Sequence, residues 1–323
     1  MPEAATATLA RWSGTKVATF ENIATFEELG PMEVEVTEEL MKAYAFSMDD
    51  YRAWHFGPSP FGPPIGHAAI VGNDLLNVKY GVYDRMTVVG LHTDEELIFH
   101  APIPLGETVT ITGRYVVKDI LRGKGHAVME AEARDASGKL LVQHRNSELT
   151  RVDPGETTAS AGTAQPSRRV VPDALSADPV ETVRPGLRAE TPIKGKTTRL
   201  TQAQMSVFSY IGEYERNFHN DREFANENGL ERTIAQGQQS AGFFSDICTG
   251  FFGAPWFTSG RVKAKFLLPV FPDSVLRIKG KVVGQEAARG GLRTHVDMWI
   301  RDQDDRLVSV GWASAVTPDS TFN

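Results

Sequence analysis

The pattern of hydrophobic and polar positions repeats along the chain. Each copy opens with a short amphipathic segment, and a threonine, Thr37 or Thr201, stands where a helix N-cap is expected. A longer, mostly apolar run follows at residues 69–78 in the first copy and 238–252 in the second. Because these runs are apolar on most sides, we expect each to form a helix that the rest of its domain encloses.

Each copy continues with segments in which hydrophobic and polar residues alternate with a period of two, as in half-buried strands. The first copy has such segments at 109–117, 126–134 and 140–150, and the second has them at 275–283, 294–301 and 307–316. The last two segments of each copy flank a polar turn, which predicts a hairpin.

The two copies align at an offset of roughly 164 to 169 residues, across the short helix, the long helix and the strands. A curved antiparallel sheet of three or four strands wrapped around one central helix satisfies this order, and it is the arrangement of a hotdog domain. The order differs from alternating β-α-β units, which argues against a Rossmann fold. We therefore predict an α+β protein, a double hotdog in which two sheets lie side by side and protect one edge of each.

A segment of different composition separates the copies. Residues 153–188 are rich in Pro, Ala, Ser, Thr and Gly and show no apolar periodicity, so they are predicted to be a linker. The predicted domains are residues 1–152 and 189–323. Each is long enough to bury a core of its own.

Composition and charge narrow the classes of function. The 323 residues carry a formal net charge of −7 and no basic stripe of the kind that binds nucleic acid. Cys248 is the only cysteine, and its apolar surroundings favour a buried side chain over a nucleophile. No window approaches about 18 consecutive apolar residues, and the N-terminus has no secretory pattern. We therefore expect a cytoplasmic protein without membrane contact.

Candidate acid–base chemistry is concentrated between the short and the long helix of the second copy. This stretch contains Glu213, Glu215 and His219, with Asn217 and Asp221 beside them. A carboxylate and a histidine held together can act on a water molecule: one accepts its proton, while the other orients the water or protonates the substrate. Histidine suits this task because its ordinary pKa lies near the working pH.

The start of the long helix in the second copy offers a complementary group. Free backbone N–H groups at a helix start, with the helix dipole behind them, can hold a carbonyl oxygen that becomes negative. Gln236 and Gly237 stand at this position, and a glycine there lets a substrate approach the backbone closely. An acid–base pair beside an amide pocket suits chemistry next to a thioester carbonyl.

These motifs resemble the MaoC-like family, the (R)-specific enoyl-CoA hydratases and related dehydratases. The family signature is approximately Gly-Asp-x-Asn-Pro-(Ile/Leu)-His-x-Asp, followed about fifteen residues later by Ile-Ala-His-Gly. The matching residues of this chain are Gly212-Glu213, Asn217, His219, Asp221 and residues 234–237. The resemblance covers most of residues 190–317.

The chain departs from this signature in ways that leave the acid open. The acid is glutamate rather than aspartate, the spacing to His219 is one residue longer, and the Asn-Pro pair is lost. Glu213 and Glu215 are therefore both candidates, and Glu213 is favoured because it follows Gly212. Gln236 replaces the usual histidine, which suggests a specialised substrate.

The first copy resembles a FAS1-like dehydratase domain, more weakly, over residues 35–150. Asp49 and Asp50 stand where Gly212-Glu213 stands in the second copy, but no Asn-x-His-x-Asp follows them. This half is therefore predicted to lack the acid–base pair.

An aromatic, Gly- and Pro-rich loop follows instead in the first copy. It contains Trp54 and His55, and His67 occupies the position of Gln236. By the resemblance, this half is expected to form a wall of the substrate pocket, with Trp54, His55 and His67 in contact with the substrate.

The resemblance implies a hydro-lyase that adds or removes water at the double bond of an α,β-unsaturated acyl thioester. CoA is implied as part of the substrate, and no metal or redox cofactor is needed. The implied catalytic residues are Glu213, Glu215 and His219, and the implied substrate-binding residues of the second half are Asn217, Asp221, Gln236 and Gly237. Asp221 also suits the N-terminus of the next helix.

Two other functions stay open from the sequence. A hotdog thioesterase would use a carboxylate on the central helix, but Asp246, the only acid there, lies well past the start of that helix. A binding protein, or a lyase for a substrate without CoA, would explain the altered spacing. In each case the expected partner is a small molecule, and a homodimer is expected because pairing is common in such folds.

Overall fold

A computed structural model of the chain describes residues 13–87, 90–121, 123–150, 177–209 and 216–319. Within them, ten strands form one sheet: β1 Glu28–Glu35, β2 Gly90–Phe99, β3 Thr108–Leu121, β4 Lys124–Arg134, β5 Leu140–Thr150, β6 Pro192–Leu200, β7 Arg261–Phe266, β8 Ser274–Ala288, β9 Gly291–Arg301 and β10 Leu307–Thr317. A separate two-stranded parallel sheet pairs Lys16–Val17 with Tyr83–Asp84.

The order of the strands reveals two related halves. It runs β1-β3-β4-β5-β2-β7-β10-β9-β8-β6, with every neighbouring pair antiparallel. Counted outward from the centre, the five strands of each half follow the same order. The halves join where β2 pairs with β7, with Leu97 opposite Val262. This confirms the predicted α+β double hotdog with one continuous sheet.

Six α-helices accompany the sheet in the described residues: α1 Glu38–Met48, α2 Gly72–Asn77, α3 Gln202–Ser209, α4 Arg222–Glu227, α5 Gly237–Phe252 and α6 Pro255–Ser259. In α5, 14 of the 16 residues are buried, including Cys248. This confirms that the apolar run of the second half is an enclosed central helix.

The central helix of the first half is shorter than the predicted run at 69–78. Helix α2 begins at Gly72, and the chain continues after it as a single 3-10 turn, Val78–Gly81. Glycine, asparagine and aspartate at the start of α2 are weak helix formers. Asn73 and Asp74 are nevertheless buried, so the core of this half contains polar side chains.

The predicted threonine caps are present at both short helices. The Thr37 hydroxyl accepts a hydrogen bond from the Leu40 N–H at 3.1 Å, and the Thr201 hydroxyl accepts one from the Gln204 N–H at 3.2 Å. Each cap satisfies a backbone donor that the first helical turn leaves without an intrahelical partner.

Each half has five strands rather than the three or four predicted. One extra strand, β1 or β6, precedes the short helix, and another, β2 or β7, follows the central helix. In β6 only Pro192, Ile193, Thr198 and Leu200 are buried. Such a strand carries little hydrophobic signal, because its position depends on pairing with β8 rather than on a buried face of its own.

The two halves also meet through their helices. The Gln238 side-chain amide of α5 donates a hydrogen bond to the Gly72 carbonyl of α2 at 3.2 Å. A β-carbon at Gly242 of α5 would lie 2.8 Å from the end of the Met48 side chain in α1. The absence of a side chain there lets α1 and α5 pack closely.

The last part of the predicted linker packs on the second half. The Val183 N–H donates to the Phe251 carbonyl at 2.9 Å, Val180 bridges to Ile193, and Leu187 is buried. The earlier part, residues 153–176, lies outside the described residues. Among the helices that are described, none is long and apolar enough to cross a membrane.

Candidate active site

A cavity of about 430 Å³ lies between the two halves. Its second-half wall consists of the loop that carries His219, the start of α5, and β7 with the segment after it. Its first-half wall consists of α2, the turn after α2 and the start of β2. Cavities of this size hold small organic ligands.

His219 lines this cavity from the loop between α3 and α4. Its ring nitrogen Nδ1 lies 2.7 Å from the Ile234 carbonyl oxygen. Only a protonated Nδ1 can donate to a carbonyl, so the neutral ring carries its lone pair on Nε2. Burial lowers the pKa of His219 to about 4. The ring is therefore neutral near pH 7 and able to accept a proton through Nε2.

The loop around His219 is held by side-chain amides. The Asn217 side-chain oxygen accepts a hydrogen bond from the His219 N–H at 2.8 Å, and the Gln202 amide donates to the His219 carbonyl at 3.0 Å. Asn217 itself lines the cavity. These bonds fix the backbone on both sides of the imidazole and so restrict the direction of its ring.

Asp221 has a different position from the one expected of a substrate ligand. Its carboxylate accepts a hydrogen bond from the Phe224 N–H at 2.8 Å and caps α4, and it pairs with Arg216 at 3.1 Å. It is absent from the described lining of the cavity. Asp221 therefore supports the loop that carries His219.

Gln236 and Gly237 stand at the start of α5 and line the cavity. The Gln236 side chain makes no capping hydrogen bond, and its Oε1 has no partner among the described residues. A β-carbon at Gly237 would lie 2.5 Å from the ring of Phe266. Glycine is thus required here by packing, and the first N–H groups of α5 lie beside the cavity.

Glu213 and Glu215, the two candidates for the catalytic acid, fall within residues 210–215 and lie outside the described residues. They remain predictions. The chain enters this segment after α3 and leaves it at Arg216, which lines the cavity.

The three residues expected from the first half are absent from the described lining of the cavity. The Trp54 ring contacts the ring of Phe257 in α6, with centroids 6.2 Å apart. His55 and His67 are both buried. The aromatic loop thus packs against the second half, and the contact of these residues with substrate stays a prediction.

His55 belongs to an acid–histidine pair that the sequence analysis missed. Its Nε2 lies 3.2 Å from the Asp50 carboxylate, and its Nδ1 lies 2.8 Å from the Ile65 carbonyl oxygen. The first half therefore contains a hydrogen-bonded acid–histidine pair, although neither residue is in the described lining of the cavity. The overlooked signal was the spacing. Asp50 and His55 are as far apart in the chain as the Asp and His of the family signature, but the residues between them do not match that signature.

This Asp50–His55 pair is embedded in charges. Arg52 lies 2.7 Å from Asp50 and 2.6 Å from Asp246 of α5, and Lys196 lies 2.9 Å from Asp246. Asp50 is held in its ionised form because His55, His67 and Arg52 lower its pKa against the opposing effect of burial. We refer to Asp50, Arg52, Asp246 and Lys196 as the inter-half ion network.

Among the residues that the structure describes, one group of side chains could geometrically hold a metal ion. Asp50, His67 and Asp246 each place one ligand atom within 4.8 Å of the others. Both carboxylates, however, already pair with Arg52 or Lys196. These positive charges oppose a further cation, so the donor set does not fit a metal.

Comparison with known proteins agrees with the fold. Residues 186–298 match the family described as MaoC like domain. A protein described as a MaoC-like dehydratase has a TM-score of 0.70 at 15% identity, covering 91% of this chain and 98% of its own. None of the curated proteins matches the chain.

Two further solved structures have the same fold. A MaoC domain protein dehydratase of Chloroflexus aurantiacus has a TM-score of 0.67 at 12% identity, covering 95% of this chain and 98% of its own. A Mycobacterium tuberculosis protein described as a double hotdog has a TM-score of 0.66 at 14% identity, covering 94% and 98%.

Proposed function

We propose that this protein is a hydratase or dehydratase acting on an α,β-unsaturated acyl thioester, an acyl-CoA. The match of residues 186–298 to the MaoC like domain family and the double hotdog fold support this. The observation that carries the proposal is the placement of His219. A neutral imidazole, oriented by the Ile234 carbonyl, lines the cavity at the start of α5. A neutral base beside free helix N–H groups supports water addition next to a thioester carbonyl.

In the hydration direction, Nε2 of His219 takes a proton from a water molecule, and the water oxygen bonds to the β-carbon of the substrate. The electron pair of the double bond moves toward the thioester oxygen, which the Gly237 N–H holds. The α-carbon then takes a proton from the acid group, Glu213 or Glu215, or back from His219. Dehydration runs through the same steps in reverse.

The geometry favours this reaction over thioester hydrolysis by the central helix. A thioesterase would need a carboxylate on α5 that faces the substrate. Asp246 is buried, and its two oxygens are occupied by Arg52 and Lys196. It therefore cannot act on water in the cavity.

The test is turnover of a panel of enoyl-CoA thioesters by wild type and single variants. We expect His219→Ala to lower kcat/KM by about 10²-fold or more, the contribution typical of a general base. Of Glu213→Gln and Glu215→Gln, one should show a comparable loss. Thiol release, measured in the same assay, should stay at background.

His55→Ala is the matched comparison, because His55 and His219 make the same backbone contact. We expect His55→Ala to keep most of the turnover in any fraction that folds. A loss in His55→Ala with full turnover in His219→Ala would move the chemistry to the Asp50–His55 pair. Full turnover in both variants would overturn the proposal.

A further inference from the structure

The first-half wall of the cavity is mostly polar, whereas the second-half wall combines apolar and polar side chains. The second half contributes Phe218, Phe224, Leu230, Ile234, Phe266 and Val270. The first half contributes Asn73, Lys79 and Glu148, all buried. A ligand that fills the cavity therefore meets buried hydrogen-bonding groups on its first-half side.

Asn73 of α2 is the most informative group on this wall. Its side-chain NH₂ donates to the Phe208 carbonyl at 2.7 Å, which sets the orientation of the amide. Its Oδ1 is then left without a partner among the described residues, although Asn73 is only 7% exposed. A buried acceptor without a partner is unfavourable, and a donor on a bound ligand would satisfy it.

Lys79 and Glu148 add an ion pair to the same wall. The ammonium group contacts the Glu148 carboxylate directly, and both residues are buried. Asp74 and Arg85 also line this wall, so its four charged side chains sum to zero. A neutral hydroxyl needs no counter-charge on this wall and can donate to the Asn73 oxygen, whereas an ionised carboxylate has no proton to donate.

The burial of these residues indicates which part of the substrate they contact. Asn73, Lys79 and Glu148 are buried, whereas Met86, Leu91 and Leu268 of the same lining are exposed. The long CoA arm must reach solvent and so leaves past the exposed residues. The acyl group then lies against the buried residues Asn73, Lys79 and Glu148.

We infer that the acyl group of the substrate carries a hydroxyl beyond its reacting α- and β-carbons, which donates to Asn73 Oδ1 on the wall that also contains the Lys79–Glu148 pair; this inference rests on the proposed function. A plain hydrocarbon chain would leave Asn73 and the ion pair against methylene groups. A site that hydrogen-bonds a substrate hydroxyl discriminates strongly against an analogue without it. The expected preference for the hydroxylated acyl group is at least about tenfold.

The experiment compares three enoyl-CoA esters of equal chain length, with a terminal methyl, hydroxyl or carboxyl group. Because CoA is common to all three, its own contacts cancel. We measure kcat/KM for each ester and, separately, the Kd of the matching saturated acyl-CoAs, which cannot react. We expect the hydroxyl ester to be favoured by at least about tenfold in both measurements.

Two variants assign the preference to the first-half wall. Asn73→Leu removes the acceptor and should abolish the hydroxyl preference in both kcat/KM and Kd. Leu76→Met, on the same helix and lining the same cavity, should keep the preference. If Asn73→Leu fails to fold, Glu148→Gln removes the charge of the pair and should reduce the preference instead.

The outcomes separate the two proposals. Turnover without a hydroxyl preference overturns the hydroxyl inference and leaves the hydro-lyase. A hydroxyl preference in Kd without turnover overturns the hydro-lyase and leaves the hydroxyl-binding wall. Equal binding of all three saturated acyl-CoAs, or tighter binding of the methyl or carboxyl form, overturns the inference whatever the turnover.

Discussion

Ile65 and Ile234 hold a histidine in the same way in the two halves. In each, a backbone carbonyl accepts a hydrogen bond from histidine Nδ1, at 2.8 Å for His55 and 2.7 Å for His219. The surroundings differ: His55 faces the Asp50 carboxylate, whereas His219 lines the cavity. The same local contact therefore supports a buried ion pair in one half and a candidate base in the other.

The buried imidazole of His67 is expected to make the stability of the protein depend on pH. Burial lowers its pKa from the ordinary 6.5 to about 3. Between these values the unfolded chain binds a proton that the folded chain does not, so the free energy of unfolding falls as the pH falls. The slope from one such group is up to about 1.4 kcal/mol per pH unit. His219 adds a contribution of the same sign.

The matched substitution is His67→Gln, because Gln236 occupies the equivalent position in the second half. We expect the loss of unfolding free energy between about pH 6.5 and 5, measured with urea, to shrink by about 2 kcal/mol. His295→Gln, at an exposed histidine, should leave the slope unchanged. Asp50 does not interfere, because its pKa is lowered and its effect begins only below its ordinary value. An unchanged slope in His67→Gln would contradict the prediction.

At the scale of elements, the short helix α4 is tied to the loop that carries His219. Asp221 caps α4 through the Phe224 N–H, and the loss of such a cap costs about 1 kcal/mol. The cap and the ion pair with Arg216 both hold the end of the loop. Asp221 is accordingly a positioning residue.

Two substitutions at Asp221 separate positioning from chemistry. Asparagine is also a good N-cap, so Asp221→Asn should keep kcat/KM near the wild-type value. Asp221→Ala removes the cap and should lower kcat/KM about fivefold, because a loss of roughly 1 kcal/mol loosens the loop. An equal, large loss in both variants would instead mean that the charge of Asp221 takes part in the reaction.

At the scale of the whole molecule, the halves are joined by the β2–β7 pairing, by helix contacts and by the inter-half ion network. Asp50 and Asp246 are each only 4% exposed at the side chain and share Arg52. Removing one partner of a buried ion pair leaves an uncompensated buried charge, which is strongly destabilising.

Arg52→Met should therefore lower the free energy of unfolding by about 3 kcal/mol, measured by urea denaturation. Arg261→Met is the control, because Arg261 pairs with Glu96 across the same junction but is largely exposed. Its expected cost is below about 1 kcal/mol. Similar losses in the two variants would show that burial of the network does not govern the stability of the junction.

Much of the fold follows from local sequence. The two helix caps, the central helix α5 and the hairpin strands β4–β5 and β9–β10 were predicted correctly, because capping residues and hydrophobic periodicity act over a few neighbouring positions. Strands β1, β2, β6 and β7 were missed. Their identity depends on pairing partners elsewhere in the chain, which periodicity does not record.

The candidate site likewise combines residues that local motifs identify with residues that only long-range packing brings in. His219, Asn217, Gln236 and Gly237 could be assigned to the candidate site before folding was known, because they belong to motifs whose spacing can be read directly, and all four line the cavity. The groups that share the cavity with them could not: Asn73 and Glu148 lie far away in the chain, and folding brings them to the same cavity. The polar first-half wall, and with it the inferred hydroxyl of the substrate, arises from packing between the halves.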